Sequence, residues 1–293
     1  MMGSFVMYAR RRRLNMVISN RQLRQTGGGQ RIRELRQSAA LSLIDLSAKL
    51  DVEFGKQIDA GHINKIETGR IKLPLAETLE TILIGLQATY RDRRDVLGAF
   101  GYSLPLELPT EREIEEGIQL AAFSLNNSTY PICLIDYGQR LWSWNKFVPR
   151  LIGLHPDDPV TKQYYGITTP DLTFNQQLPT HILVANPNEY LPVMLQYIKT
   201  ALHPYRAQMW YKELISSWFR LPGFRGLWNM LPNDEMREVV SIQINVPQHG
   251  VLHFRMSTSD ILLDPRFQIL HFTPFGARTL RACAIWAEEE GID

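Results

Sequence analysis

One short stretch, Ile63-Asn64-Lys65-Ile66-Glu67-Thr68-Gly69, decides how the N-terminal third of this chain folds. Ile63 and Ile66 stand three positions apart, which places both side chains on one face of a helix. Asp59 can cap the start of that helix, because a carboxylate accepts hydrogen bonds from the first free N–H groups, and Gly69 can end it. The spacing therefore predicts a helix from Ala60 to Glu67 whose two isoleucines face a core.

The residues before this stretch predict a second helix. Ser42 and Asp45 have the spacing of a capping box, in which the serine side chain caps an N–H group and the carboxylate reaches back. The helix that they open has Leu43, Leu46 and Leu50 on one face.

Three more helices complete the pattern. Ile32 and Leu35 share one face of a first helix that starts near Gln30. After Pro74, a fourth helix is expected to bury Leu75, Leu79, Ile82, Leu83 and Leu86, and a fifth covers residues 91–100. Residues 29–104 are therefore expected to form an all-α domain of five short helices.

Together these features resemble the lambda-repressor-like helix-turn-helix domain of the XRE family. The residues that carry the resemblance are Ile32-Arg33-Glu34-Leu35-Arg36, Leu41-Ser42, Leu46-Ser47, Ile63 to Glu67, Gly69, Pro74 and Thr78-Leu79. Two features depart from the family pattern: Leu43 stands where Gln is usual, and residues 51–58 lengthen the connection before the third helix. The resemblance implies that Glu67 is a structural partner of the first helix.

The resemblance also implies how the domain would contact DNA. In this motif the second helix of the pair lies in the major groove, and its N-terminal residues meet base edges. The base-contacting positions would be Ala60, Gly61, His62, Asn64 and Lys65, since Asn can pair with adenine and Lys can donate to guanine. Phosphate contacts are expected from Ser42, Lys49, Arg70 and Lys72, with Arg31 and Arg33 as weaker candidates.

The same resemblance bears on the oligomeric state. One DNA-binding domain contacts only a half-site, so a homodimer on palindromic double-stranded DNA is expected.

Charge divides the chain at the same place. Residues 1–104 hold 17 Lys and Arg against 10 Asp and Glu, a net charge of +7, whereas residues 105–293 hold 15 against 20, a net charge of −5. A basic head on an acidic body favours a nucleic-acid partner for the head. Residues 1–28 contain Arg10 to Arg13 and are expected to form a flexible basic arm, which either follows DNA phosphate or has no fixed role.

Composition excludes several classes of protein. The 293 residues are 44% hydrophobic and 21% charged, which is typical of a folded chain and not of a disordered one. Cys133 and Cys283 are the only cysteines, so neither a disulfide framework nor a Cys-based metal site is expected. We therefore expect a cytoplasmic, nucleoid-associated protein. No apolar run is long enough to span a membrane, and the Arg-rich start lacks the features of a signal peptide.

Residues 105–293 have the pattern of a PAS-like α+β domain. A helix is expected from Glu111 to Leu125, with Ile114, Ile118 and Leu125 as a candidate interdomain or dimer face. Residues 131–144 are typical of a hairpin, after which Asn145 is expected to start a helix. Three C-terminal strands are expected to turn inward Ile242, Ile244, Val246, Leu252, Phe254, Met256, Leu270 and Phe272, with Ile269 on the other face. The result is a five-stranded antiparallel sheet, split by a helical insertion and covered mainly on one side.

The order of the two parts resembles that of MmyB-like transcription regulators. The resemblance in the second part rests on Ile132 to Asp136, Trp142 to Asn145, Ser216-Ser217-Trp218-Phe219 and Leu227-Trp228. It implies a ligand-binding role for the large apolar side chains of the insertion. The candidate ligand-binding residues are Trp144, Met194, Tyr197, Ile198, Arg206, Met209, Trp210, Trp218, Phe219 and Trp228.

An aromatic and Met-rich pocket favours an apolar or amphipathic guest. A cation at its mouth, such as Arg206, Lys199 or Arg220, would meet a carboxylate, so a fatty acid is the expected ligand, and no cofactor is required. The same side chains also suit the core of a domain of this size, so that alternative stays open.

Motifs of known catalytic classes are absent: the sequence has no GxSxG, GxxxxGK[ST], HExxH or GxGxxG after a strand. No catalytic or metal-binding residue is therefore assigned. Three hypotheses remain, namely a ligand-responsive transcription regulator, a DNA-binding protein whose body only dimerises or binds a protein partner, and a haem- or flavin-binding sensor or enzyme.

Overall fold

The computed structural model describes residues 27–104, 106–232 and 240–291. The chain divides into two compact units between Pro105 and Leu106, one residue from the predicted domain boundary. Most of the predicted basic arm, residues 1–26, lies outside the described residues. The end of the arm was predicted wrongly, because residues 27 and 28 already belong to the first helix.

The first unit is helical. Its described helices are α1 (27–38), α2 (Leu43–Phe54), α3 (Ala60–Glu67), α4 (Ala76–Gly85) and α5 (Tyr90–Ala99). Ser42 and Asp45 form the predicted capping box of α2. Asp59 caps α3 by accepting hydrogen bonds from the N–H groups of Gly61 and His62, so the predicted bounds of α3 are confirmed.

The core of this unit draws side chains from all five helices. Ile63 and Ile66 are completely buried, as predicted, and they pack with Ile32, Leu46, Leu50, Leu79, Ile82, Leu83, Val96 and Leu97. The prediction that Leu75 is buried on α4 was wrong. It precedes the helix with an extended backbone, so its side chain does not share the buried face and is 72% exposed.

Two glycines at the junction of the predicted arm and domain, Gly28 and Gly29, are packing residues of α1. A Cβ atom on Gly29 would lie 2.4 Å from the carbonyl oxygen of Ile66, and one on Gly28 would lie 2.8 Å from the ring of Phe100. Non-bonded atoms cannot pack that closely in a dense core, so α1 reaches α3 and α5 only because these positions have no side chain. The glycine run is where the first helix meets the core.

The long connection before α3 consists of an extra helical turn and a short loop. α2 continues to Phe54, and Gly55 ends it in the left-handed region with a φ of 62°. Ser47 Oγ donates a 2.7 Å hydrogen bond to the carbonyl oxygen of Ile58, which ties the loop back to α2 just before the cap of α3.

The second unit mixes helices with one sheet. Its described helices are α6 (Glu111–Asn127), α7 (Val148–Leu151), α8 (Thr169–Phe174), α9 (Pro187–Leu202), α10 (Met209–Trp218), α11 (Phe224–Met230) and α12 (Ala277–Glu289), with 3-10 turns at Pro159–Tyr164, Pro179–Ile182 and His203–Tyr205. The strands β1 (Ile132–Asp136), β2 (Leu141–Trp144), β3 (Val240–Val246), β4 (Gly250–Asp260) and β5 (Phe267–Pro274) form an antiparallel sheet in the order β2-β1-β5-β4-β3. The predicted five-stranded antiparallel sheet is confirmed.

A buried carboxylate holds the turn of the β1–β2 hairpin. Asp136 is fully buried and accepts hydrogen bonds from the Arg140 N–H group, from Arg140 Nε at 2.7 Å and from Trp142 Nε1 at 2.9 Å. Burial raises the pKa of Asp136, and the charge and hydrogen bonds of Arg140 and Trp142 oppose that shift.

A buried amide holds the other end of the hairpin. Asn145 Oδ1 accepts hydrogen bonds from the N–H groups of Ile132 and Phe147, and Asn145 Nδ2 donates to the carbonyl oxygen of Tyr130. These bonds fix Asn145 as a corner. The following helix therefore begins at Val148, three residues later than predicted.

One face of the sheet carries the larger core. The register pairs Val240 with Met256, Met256 with Phe272, and Cys133 with Leu270, so these side chains lie on the same face. The helices that cover this face contribute Tyr190, Met194, Leu195, Ile198, Trp218, Phe224 and Trp286.

The opposite face is covered by α6 where it passes β1 and β5. Ala121 and Leu125 pack there with Ile132, Leu134, Phe267 and Ile269, and Ile114 and Ile118 are partly buried against the same cluster. The α6 face predicted for an interdomain or dimer contact is thus occupied by the sheet of its own unit. Ile269, predicted on the less apolar face, is buried because both faces of this central strand are covered.

A buried arginine joins α6 to the β4–β5 turn. Arg266 is 1% exposed and lies 2.7 Å from an Asp264 carboxylate oxygen and 2.9 Å from one of Glu113. Burial by itself would raise the pKa of Glu113. Hydrogen bonds from Arg266 and from the Thr110 backbone, together with the charge of Arg266, outweigh that effect and lower the pKa of Glu113.

Glu113→Gln should change how the stability of the second unit depends on pH. Because the pKa of Glu113 is lower in the folded state, its contribution is complete above the unfolded-state pKa of about 4.3 and is lost as pH falls below that value and through the lower folded-state pKa. The variant should be less stable near neutral pH and should lose less stability on acidification. Urea unfolding at pH values from neutral down to below the pKa of Glu113 measures the free energy of unfolding, with the substitution of an exposed residue, Glu288→Gln, as control. Parallel curves for wild type and Glu113→Gln would contradict the assignment.

Gly29→Ala should destabilise the first unit by about 1–3 kcal/mol, because the added methyl group overpacks the contact between α1 and the α3 backbone. Gly27→Ala is the matched control, since a Cβ atom at that helical position meets nothing within 4 Å. Alanine there should be neutral or slightly stabilising. Thermal unfolding of the two variants distinguishes them, and equal stability would show that the close approach at Gly29 is not a constraint.

Candidate nucleic-acid interface and ligand cavity

The start of α3 is a polar end that faces away from the core of its unit. Gly61 and Lys65 are exposed, and His62 and Asn64 are partly exposed. The predicted base-contacting residues, Ala60, Gly61, His62, Asn64 and Lys65, therefore lie together on one short helix. Asp59 accepts hydrogen bonds from the Gly61 and His62 N–H groups at 2.8 and 3.1 Å. Because these backbone donors are already used, a partner would contact this helix end mainly through its side chains.

A buried ion pair fixes α3 against α1. Arg36 Nε lies 2.7 Å from Glu67 Oε1, and Arg36 Nη2 lies 2.8 Å from Glu67 Oε2, which is bidentate geometry. Arg36 Nη1 donates a further bond to the carbonyl oxygen of Leu41 at 2.8 Å. The predicted role of Glu67 as a partner of the first helix is confirmed, and Arg36 is the partner that the sequence pattern did not identify.

Exposed cations follow α3 along the chain. Lys65, Arg70 and Lys72 are exposed and have no ion-pair partner among the described residues, and the same holds for Arg33 on α1. Arg31, the other weaker candidate, is engaged within its own unit because it lies 2.7 Å from Asp92. Arg33, Lys65, Arg70 and Lys72 are the charges that this unit leaves available to an anionic partner.

The two predicted phosphate contacts on α2 have structural roles as well. Ser42 Oγ accepts a 3.1 Å hydrogen bond from the Asp45 N–H group, so only its hydroxyl hydrogen is left for another acceptor. Lys49 lies 3.9 Å from Glu53 and is 26% exposed, so its ammonium group already has an anionic neighbour, in a pair of small energetic value.

The second unit holds an apolar cavity of about 120 Å³ between the sheet and the helices that cover its larger core. Its walls come from β1, β2, β3, β4 and β5 on one side and from α7, α8, α9 and the 3-10 turns at Pro159–Tyr164 and Pro179–Ile182 on the other. The lining residues are Cys133, Ile135, Leu141, Trp144, Val148, Leu151, Ile152, Tyr164, Thr169, Leu172, Thr173, Thr180, Leu183, Val184, Tyr190, Ile242, Ile244, Met256, Leu270 and Phe272.

A second, smaller cavity of about 60 Å³ adjoins the first. Ile135, Thr169, Tyr190, Met256 and Leu270 line both, so these residues form the partition between them. The remaining walls of the second cavity are Gln139, Met194, Tyr197, Ile198, Val240, Ser257 and Thr258. An unbranched Met side chain in such a partition can change its rotamer and join the two spaces.

The polar groups of the side chains that line the cavities are hydroxyls, a thiol, an indole N–H and an amide. No Lys, Arg, His, Asp or Glu among the described residues lines either space. Burial raises the pKa of the Cys133 thiol to about 12, so this cysteine is an uncharged, unreactive wall residue. Burial, reinforced by Cys133, also raises the pKa of Tyr190 above its ordinary value.

Four of the ten predicted ligand-binding residues line these cavities: Trp144 the first, and Met194, Tyr197 and Ile198 the second. The other six, Arg206, Met209, Trp210, Trp218, Phe219 and Trp228, line neither. The cations proposed for the mouth are also elsewhere, because Lys199 donates to the carbonyl oxygens of Trp228 and Leu231 and Arg206 contacts His203.

The six residues outside the cavities have other positions. Trp218 is completely buried, donates a hydrogen bond to Thr168 and lies near Phe224, with which Phe219 and Trp228 also pack. Trp210 packs on Tyr137 and donates to the carbonyl oxygen of Leu106, and Met209 is 67% exposed. Trp218, Phe219 and Trp228 therefore belong to the aromatic core of the domain, which was the alternative to ligand binding.

Tyr164, Thr169 and Tyr190 are cavity residues that sequence analysis did not identify. Met256 and Leu270 were predicted to face inward from the strand pattern, which was the available signal. For Tyr190 no such signal exists, because its position depends on how α9 is rotated over the sheet.

Arg36→Ala should destabilise the first unit by about 3–5 kcal/mol, because it leaves the Glu67 carboxylate buried without a partner. Arg31→Ala is the control, since Arg31 is half exposed and its pair with Asp92 is worth about 1 kcal/mol or less. Replacing both Arg36 and Glu67 by Met should recover most of the loss. Urea unfolding measures all three, and equal losses for Arg36→Ala and Arg31→Ala would contradict the importance of the buried pair.

Among the described residues, no group of three or more His, Cys, Asp and Glu side chains is placed to hold a metal ion. None of the helices described has both the length and the apolar character needed to cross a membrane. The chain matches no protein-family model and no curated protein.

Proposed function

We propose that this protein is a sequence-specific DNA-binding transcription regulator whose second unit senses a small apolar or amphipathic molecule. The observation that carries the proposal is the exposed end of α3, with His62, Asn64 and Lys65 outward and Ile63 and Ile66 inward. Beyond it stand Arg70 and Lys72, which are exposed and have no ion-pair partner in the part of the chain that the structure describes. A short helix with a polar outer side and flanking free cations is suited to base edges and to the phosphates beside them.

The resemblance of the first unit to XRE-family helix-turn-helix domains supports the same assignment. In that reading α2 and α3 are the helix pair and α3 enters the major groove. The Arg36–Glu67 pair supports it further, because it gives the exposed helix a fixed orientation on its own unit. A homodimer that places two such helices on a palindromic operator follows from the half-site geometry.

For the second unit we propose a PAS-like, MmyB-like ligand-binding domain. The strand order β2-β1-β5-β4-β3, with the helical insertion between β2 and β3, supports the PAS-like assignment. The apolar cavity between sheet and insertion supports the sensing role, and a fatty acid is the ligand that the resemblance favours. Ligand binding would alter the spacing or affinity of the DNA-binding heads, which is an allosteric coupling between two sites.

A second candidate function is supported by the size of the cavities. The volumes of about 120 and 60 Å³ are smaller than the roughly 300–1,000 Å³ of ordinary ligand sites. In this alternative the second unit only dimerises or binds a protein partner, and DNA binding by the first unit is unaffected.

The DNA-binding proposal is tested by selecting duplexes from a random pool with the full-length protein and measuring affinity for the recovered site. Asn64→Ala should cost about 1–3 kcal/mol of specific binding and relax the preference at one base pair. Asn127→Ala, in the second unit, is the control and should bind as wild type does. If Asn64→Ala retains full affinity and selectivity, α3 is not the reading helix.

Arg70→Ala should weaken binding to specific and unrelated duplexes alike and reduce the slope of log affinity against log salt by about one. Arg281→Ala removes an exposed arginine of the second unit and serves as the matched charge control. Fluorescence anisotropy over a range of salt concentrations measures the slope. An unchanged slope for Arg70→Ala would remove this residue from the phosphate-contacting set.

A further inference from the structure

The polar groups in the cavity walls indicate which functional group a bound molecule would carry. Five side-chain hydroxyls line the first cavity, those of Tyr164, Thr169, Thr173, Thr180 and Tyr190. The three threonines already donate: Thr169 to Gln139 Oε1, Thr173 to carbonyl oxygens of α8, and Thr180 to the Leu172 carbonyl oxygen. Their hydroxyl hydrogens are therefore directed into the protein.

The two tyrosines are different. Tyr164 and Tyr190 are 2% and 4% exposed, and neither phenol has a hydrogen-bond partner among the described residues. Neither phenol oxygen is among the fully buried side-chain atoms that lack a partner in the described residues, so each reaches accessible space, where its hydroxyl can donate to an acceptor. Tyr190 is the more informative of the two, because it lines both cavities and stands at their partition.

Charge restricts the guest further. No cationic side chain among the described residues lines either cavity, and the three cations expected to meet a carboxylate, Lys199, Arg206 and Arg220, line neither. A carboxylate moved from water into such surroundings loses hydration that the two phenols replace only in part and that no cation among the described walls offsets, so its protonated form is favoured.

We infer that the cavity takes a small uncharged molecule, with an apolar body and one carbonyl-type oxygen that accepts a hydrogen bond from Tyr190. This inference rests on the proposed ligand-sensing function and deepens it, because it selects a neutral ketone-, ester- or lactone-like guest over an ionised fatty acid. The volume agrees with a small guest, since an apolar cavity of roughly 150 Å³ holds a benzene molecule. Rearrangement of Met256 would extend the space into the second cavity for a somewhat longer chain.

The test uses the full-length protein and three probes, hexan-2-one, hexanoate and hexadecanoate, with dissociation constants measured by isothermal titration calorimetry at about pH 8, where both acids are ionised. Hexan-2-one should bind with one-to-one stoichiometry and at least about tenfold more tightly than hexanoate. Hexanoate should gain affinity as the pH is lowered, because protonation removes its charge.

Tyr190→Phe keeps the ring and removes the donor. It should weaken hexan-2-one binding about three- to tenfold, the range expected for one hydrogen bond. Tyr211→Phe is the matched control, since Tyr211 belongs to the same unit but lines neither cavity, and it should leave the affinity unchanged. Equal affinity of wild type and Tyr190→Phe for the ketone would overturn the role assigned to Tyr190.

The remaining outcomes separate the inference from the function on which it rests. Stoichiometric binding of hexanoate or hexadecanoate as tight as that of the ketone would overturn the neutral-ligand inference and leave ligand sensing in place. Binding of none of the three probes would overturn both and favour a second unit that only dimerises. DNA binding, tested separately through Asn64 and Arg70, is independent of either result.

Discussion

The bidentate pair between Arg36 and Glu67 is the interaction on which the candidate DNA-contacting surface depends. Charged groups removed from water are tolerated only when geometry and hydrogen bonding are nearly complete, and this pair satisfies the carboxylate with two bonds and uses a third donor on Leu41. Such a contact has few alternative arrangements. It therefore holds the C-terminal end of α3 in one orientation, which turns Asn64 and Lys65 outward.

Buried polar groups serve the second unit in a comparable way. Asp136 and Asn145 hold the two ends of the β1–β2 hairpin, and Arg266 joins α6 to the turn between β4 and β5. All of these groups sit at strand ends, where backbone groups would otherwise be left without partners. The sheet face beneath the helices is left apolar, and it is there that the cavities lie.

The two units thus present opposite kinds of surface to a partner. The first offers exposed amide, imidazole and ammonium groups with unpaired cations, which suits a polyanion with readable base edges. The second offers an apolar cavity with two phenol donors and no charge among its described walls, which suits a small neutral molecule.

Local sequence determined much of this architecture. The caps at Ser42 and Asp59, the bounds of α3 and the inward faces of β3 and β4 depend on hydrogen bonds within a few residues and on side-chain periodicity, and both can be read along the chain. Tertiary structure decided the rest. Gly29 packs on Ile66, α6 covers Ile269, and Tyr190, in place of Trp218, lines the cavities. Those outcomes depend on which distant surfaces meet and on how each helix is rotated when they do, and neither is encoded in local spacing.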